Sequence, residues 1–168
     1  STKEFNLKQM TINNLTFLLI CPVKFPTPAP PYSYWVHPTK EMLDELEEVI
    51  EKISDQKIYI LCHYPVDIHW WIKSSRGHTY EEIIQNEKIA AYFTGHFHPE
   101  TTEIIHHLKG AIEFVVPAAF QYKKFGVITL DNNRLVYHTI DITAPPTKFL
   151  LTNPVPADQI SSSTTFHE

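Results

Sequence analysis

Apolar side chains recur along this chain in two rhythms. Residues 15–20 (LTFLLI), 58–62 (IYILC) and 89–94 (IAAYFT) are short continuous apolar runs, the pattern of strands buried on both faces. Between the first two, Met42, Leu43, Leu46, Val49, Ile50 and Ile53 return at helical spacing while Glu47, Glu48, Glu51 and Lys52 fall elsewhere. That predicts an amphipathic helix over 39–53, with Thr39 as N-cap and a merely solvated charged face. Thr79 and Glu82 have capping-box spacing and predict a second helix over 80–88. After residue 100 the rhythm changes. EIIHHL and AIEFVV flank Lys109-Gly110, and KFGVITL and RLVYHTI flank Asp131-Asn132-Asn133, two hairpin signals. Strand–helix–strand–helix–strand followed by hairpins predicts an α/β layered domain whose sheet is parallel first and antiparallel later.

The stretch CPVKFPTPAPPYSYW after residue 20 carries five prolines, which forbid ladder pairing and favour an extended surface loop packed down by Phe25, Tyr32, Tyr34 and Trp35. The tail SSSTTFHE reads as frayed. At 168 residues, 43% hydrophobic and 20% charged, the chain suits one globular domain. Its net charge of −5 argues against a general nucleic-acid binder and a polybasic membrane surface. Positive charge for an anionic substrate must therefore come from a few local residues or a bound metal. Two cysteines, Cys21 and Cys62, end apolar runs; they read as two buried thiols or as one bridge in a lumenal compartment. Asn14-Leu15-Thr16 spells a glycosylation acceptor. No cationic-then-apolar leader opens the chain, and no run approaches the ~20 apolar residues that span a bilayer. With no initiator methionine, the chain reads as a piece of a longer protein.

Histidines supply the candidate chemistry. His63 ends one predicted strand, and His96 and His98 follow another in YFTGHFHP. If those strands are parallel, the three imidazoles share the sheet edge where open α/β folds bind ligands. His96 and His98, i and i+2 on an extended segment, would point the same way, and Gly95 permits an unusual backbone angle or a close approach. Two readings stay open: satisfied polar groups at strand ends in a chain with ten histidines, or ligands for a transition metal. The loop after His63 overhangs the same edge. It carries Asp67, His69, Trp70, Trp71, Lys73, Arg76 and His78, so His69 and Arg76 are candidates to contact an anion, while the tryptophans pack the loop down or meet an apolar body. His106 and His107 sit in a strand and point to opposite faces. His37, His138 and His167 have no partner pattern.

GHFH resembles the GHxH motif that ends the calcineurin-like metallophosphoesterase signature, and ILCHYP resembles the histidine motif that precedes it, with a helix and a strand between. KFLLTNP, residues 148–154, resembles the transmembrane protein 62-like branch. The resemblance runs from about residue 12 to 155. It implies that 1–146 form the C-terminal half of a calcineurin-like αββα sandwich, with 147–168 starting a following segment or a frayed tail. It implies His63, His96 and His98 as ligands of a two-metal centre of divalent Zn, Mn or Fe. The family's Asp-x-His, Gly-Asp-x-x-Asp and Gly-Asn-His motifs do not occur ahead of His63; Asp67-Ile68-His69 has the first spelling but stands after it. The bridging aspartate, the asparagine ligand and the catalytic histidine would then belong to a missing N-terminal half of the same domain. The parent is expected to hydrolyse a phosphate ester, with any membrane contact outside this chain, and the isolated chain is expected to be inactive. The alternative is a non-catalytic scaffold module of a membrane-anchored protein with a degenerate metal site. A third reading is a mononuclear three-histidine site in an unrelated small domain.

Overall fold

In a computed structural model of the chain, residues 7–12, 15–21, 38–54, 57–68, 70–107, 109–131, 134–143 and 152–156 are described. The apolar run 15–20 becomes β2 (Leu15–Ile20), preceded by β1 (Leu7–Ile12) in antiparallel register, Leu7 opposite Ile20 and Ile12 opposite Leu15. Helix α1 (Lys40–Lys52) follows, its first turn capped by Thr39, whose hydroxyl accepts from the Met42 amide at 3.2 Å. Strand β3 (Ile58–Cys62), the short helix α2 (Tyr80–Ile84) and strand β4 (Ile89–Thr94) complete the α/β part. Then come β5 (Glu103–His106), β6 (Ile112–Val115), α3 (Ala119–Tyr122), β7 (Lys124–Asp131), β8 (Arg134–Asp141) and β9 (Thr152–Pro156).

Among the described residues the strands form two sheets, a six-stranded one in the order β1-β2-β3-β4-β6-β5 and a three-stranded one in the order β7-β8-β9. Strands β2, β3, β4 and β6 are mutually parallel, so their carboxyl ends share one rim. Strand alternation sorts the side chains. Leu18, Ile58 and Ile60 face α1, where Leu43 and Leu46 are wholly buried. Each such leucine is worth roughly 1.5–3 kcal/mol relative to exposure. Phe17, Tyr59, Phe93 and Phe114 face the other way, toward the second sheet, where Tyr137 of β8 stacks on Phe114 at 4.8 Å and on Phe93 at 6.2 Å. The result is a mixed α/β fold of helix, sheet and sheet layers.

The predicted α/β class holds, with differences in detail. Helix α2 stops at Ile84 rather than 88, because the Asn86 side chain accepts from the Lys88 amide and turns the chain. Its capping box is present, with the Thr79 amide donating to Glu82 at 2.7 Å. Parallel pairing of β2, β3 and β4 comes first and the antiparallel hairpins β5–β6 and β7–β8 later, as expected, with one addition. The β5–β6 hairpin, turned at Gly110 (φ 83), lays β6 parallel beside β4 and leaves antiparallel β5 at the edge. Strand β1 carries no apolar run because it is an edge strand with exposed Lys8, Gln9, Thr11 and Ile12. Cys62 is buried and Cys21 exposed; both are free thiols. Strand β9 pairs with β8 inside the stretch expected as a following segment or tail. Asn14, the proline-rich loop over 22–37, His69, Asn132 and Asn133, the 146/147 boundary and the tail SSSTTFHE lie outside the described residues. No helix among those described is long and apolar enough to cross a membrane.

Candidate metal centre

Pairing of β3 with β4 runs through Leu61 opposite Phe93 and continues one step past both strands, where the Gly95 amide donates to the His63 carbonyl at 3.0 Å. That bond sets His63 and the GHFH turn side by side on the rim. A Cβ built on Gly95 would lie 3.5 Å from His63 Nδ1, so the close approach expected there is made by the His63 ring.

The unusual backbone angle does not fall on Gly95. It falls on His96 (φ 72) and His98 (φ 51). The 96–98 segment is therefore not extended, and the expectation of two side chains aligned by strand alternation is corrected. The reason is local: the Phe97 amide donates back to the Gly95 carbonyl at 2.9 Å, closing a three-residue turn with His96 at its centre. A positive φ there belongs to the strained form of the γ-turn. Such a residue costs on the order of 1–3 kcal/mol and persists only where its surroundings hold it.

The turn carries the His96 ring to His63. The two ring centroids are 5.4 Å apart and nearly perpendicular, at 86°. Tyr64 packs against both, 5.0 Å from His63 and 4.9 Å from His96, and is backed by Trp70 at 5.4 Å. Desolvation on the inner side of His63, then the neighbouring His96 and His98, holds its pKa below 6.5. Its imidazole therefore favours the neutral form, the form that ligates a metal. His98 acts on the charge of His63, but among the described residues no group of three or more His, Cys, Asp or Glu side chains is arranged to hold a metal ion. Among the described residues the rim supplies a facing pair of imidazoles with no carboxylate grouped with them.

The candidate anion contacts fare differently. His69 lies outside the described residues. The Arg76 guanidinium is paired with both carboxylate oxygens of Glu51 on α1, Nη2 to Oε2 at 3.1 Å, and its Nε stands 3.9 Å from Glu47. His78 meets Glu47 at 2.5 Å. Asp44, Glu47 and Glu51 thus form a stripe on α1 that receives the loop over 73–79, where a solvated face was expected. Trp70 is buried and packs the loop down, while Trp71 is 85% exposed. His107 turns inward to Glu113 at 2.9 Å. Sequence reading passed over Glu113; the one signal was a glutamate inside the apolar run AIEFVV.

No family model and no curated protein matches the chain. Among solved structures, a dimetal phosphatase from Danio rerio shares the fold with a TM-score of 0.58 and 12% sequence identity. The alignment covers 79% of this chain and 57% of that one, so the chain spans less than two thirds of the phosphatase it resembles. The likeness is one of fold: the chain shares the mixed α/β architecture of that structure.

Proposed function

We propose that this chain is part of a metal-dependent phosphoesterase domain whose parent hydrolyses a phosphate ester at a two-metal centre. The observation that carries the reading is the meeting of the His63 and His96 rings at the carboxyl rim of parallel strands. The fold shared with a dimetal phosphatase adds support. The finer assignment, to the transmembrane protein 62-like branch of the calcineurin-like superfamily, rests on GHFH, ILCHYP and KFLLTNP alone.

The donor set fits a divalent cation in part. His63 and His96 offer imidazole nitrogen donors of the kind Zn, Mn or Fe accept, and His98 is assigned a ligand role by resemblance. Imidazoles alone leave a pair of cations without neutralising carboxylates, so the remaining ligands come from another part of the same domain. Metal ions in such centres lower the pKa of bound water to about 7 and polarise phosphoryl oxygens. This chain's own work is to hold its imidazoles at a set spacing. Tyr64 does so by packing against both rings. His69 is kept as a candidate substrate contact. Arg76 reaches an anion only by leaving Glu51.

The test is to measure Mn and Zn uptake and hydrolysis of a simple aryl phosphate by the isolated chain and by the parent domain. The chain alone is expected to show no turnover above background, and the parent to lose turnover on His63→Ala or His96→Ala. Robust turnover by the isolated chain, or a parent indifferent to both substitutions, overturns the reading. The competing reading, a non-catalytic scaffold, is favoured by the lack of a three-donor group among the described residues. A parent domain that purifies and reconstitutes without metal would establish it.

A further inference from the structure

Strand β6 carries a carboxyl group where an apolar side chain would fill the layer. Glu113 is wholly buried between the β4 and β5 strands that flank it. Burying a carboxylate carries an effective penalty of several kcal/mol unless its lone pairs are well used. Here both oxygens are used. Oε1 accepts from the Val66 amide at 3.1 Å and from the Thr94 hydroxyl at 2.6 Å. Oε2 meets Nε2 of His107 at 2.9 Å, and the His107 ring lies edge-on to Tyr92 at 5.3 Å. Val66 stands three residues after His63, and Thr94 two before His96. A single oxygen therefore ties together the two segments that carry the facing imidazoles, at a point just beneath the rim.

We propose that Glu113 is the positioning residue of the rim: through Oε1 it fixes the spacing of the His63-bearing turn against the His96-bearing turn, while His107 holds its carboxylate in place. For metal ligation this rests on the phosphoesterase reading; for the His63–His96 spacing it stands on the rim geometry alone. The backbone bond between Gly95 and His63 sets the two segments side by side, and the Phe97 amide closes the His96 turn on itself, but neither bond reaches Val66 beyond His63. The Glu113 bridge ties that far end of the His63 turn to the strand end at Thr94 from the inner side.

The experiment compares the full chain with Glu113→Met, which removes every acceptor, and Glu113→Gln, whose Oε1 accepts from the same two donors and whose amide donates to His107. Two readouts are followed: the NOE between the ring protons of His63 and His96, and Co2+ affinity from the visible ligand-field absorption. In Glu113→Met the ring NOE disappears while NOEs linking Leu61 to Phe93 persist, and Co2+ affinity drops about tenfold or more, as for other residues that orient metal ligands. Glu113→Gln restores both. Tyr137→Phe, which removes a hydroxyl bonded to Thr102 in the other layer, leaves both readouts unchanged. If Glu113→Met does not fold, Thr94→Val removes one of the two donors and weakens the NOE. A ring NOE that survives Glu113→Met, or survives Thr94→Val undiminished, overturns the proposal, as does its absence from the unmodified chain. If the unmodified chain takes up no Co2+, as its incomplete donor set allows, the phosphoesterase reading is decided on the parent domain and the NOE decides the positioning role by itself.

Discussion

His63 illustrates how one side chain couples folding to pH. Its folded pKa lies below 6.5, chiefly from desolvation and then from His96 and His98 nearby, while in the unfolded chain it titrates near the ordinary value. In the window between, the unfolded chain binds the additional proton. The stabilising contribution is therefore complete above the unfolded pKa and is lost as pH falls through 6.5 toward the folded value. Thermal melts in chelating buffer from about pH 7.5 down to about pH 5 should show falling Tm, and His63→Gln should flatten part of that fall, since His titrates in this range. A profile that the substitution leaves untouched would show that the ring is not desolvated. The position of these histidines could be read directly from the sequence, because strand ends follow from apolar runs. The left-handed angles of His96 and His98 could not. That of His96 comes from the bond of the Phe97 amide back to Gly95, a choice among turns that spacing does not encode.

Helix α1 was readable from its period, since Met42, Leu43, Leu46 and Ile50 are buried and Thr39 caps it as expected. Its acidic side was misread. Charge at helical spacing looks the same whether water or a loop receives it, and the loop that docks there arrives from thirty residues downstream. The Asp44 carboxyl is held down to about 2 by the Ser75 amide and hydroxyl, with Lys40 adding less. It accepts from the Ser75 amide at 2.5 Å and from its hydroxyl at 2.7 Å. Asp44→Ala should release this anchor. Amide exchange at Ser75 and Gly77 is expected to quicken severalfold, with Leu43 and Leu46 amides unchanged and little loss of global stability, as for other exposed contacts. Unchanged exchange at Ser75 would mean that Arg76 and His78 alone secure the loop. Element ends were the weakest part of the reading. Strand β1 lacks an inner face to mark it, and α2 ends at a side-chain bond of Asn86 that overrides the helical spacing continuing to 88.

The two sheets are joined where Phe93, Phe114 and Tyr137 stack, and no single segment of sequence announces that junction. Parallel pairing of β4 with β6 was equally hidden, because hairpin signals define β5 and β6 as partners without saying which of them turns inward. Tyr137 also crosses close over Gly126 of β7, where an added Cβ would lie 2.5 Å from its hydroxyl oxygen. Gly126→Ala should therefore destabilise the domain by displacing a ring from the junction, and Tyr137→Ala should cost about 3–5 kcal/mol in urea unfolding, as for other buried aromatics. Equal stability of Gly126→Ala and the unmodified chain would show that the layers slide freely. Gly110 is the counterpart on the other hairpin. It takes a positive φ of 83 yet has nothing within 4 Å of where its side chain would be. Chain reversal at that point brings β6 back beside β5 within microseconds, the time a hairpin needs, whereas the join to β4 awaits closure of a longer loop. The speed at which the parallel core assembles is thus tied to a residue that packs no side chain and whose amide closes the turn on His107.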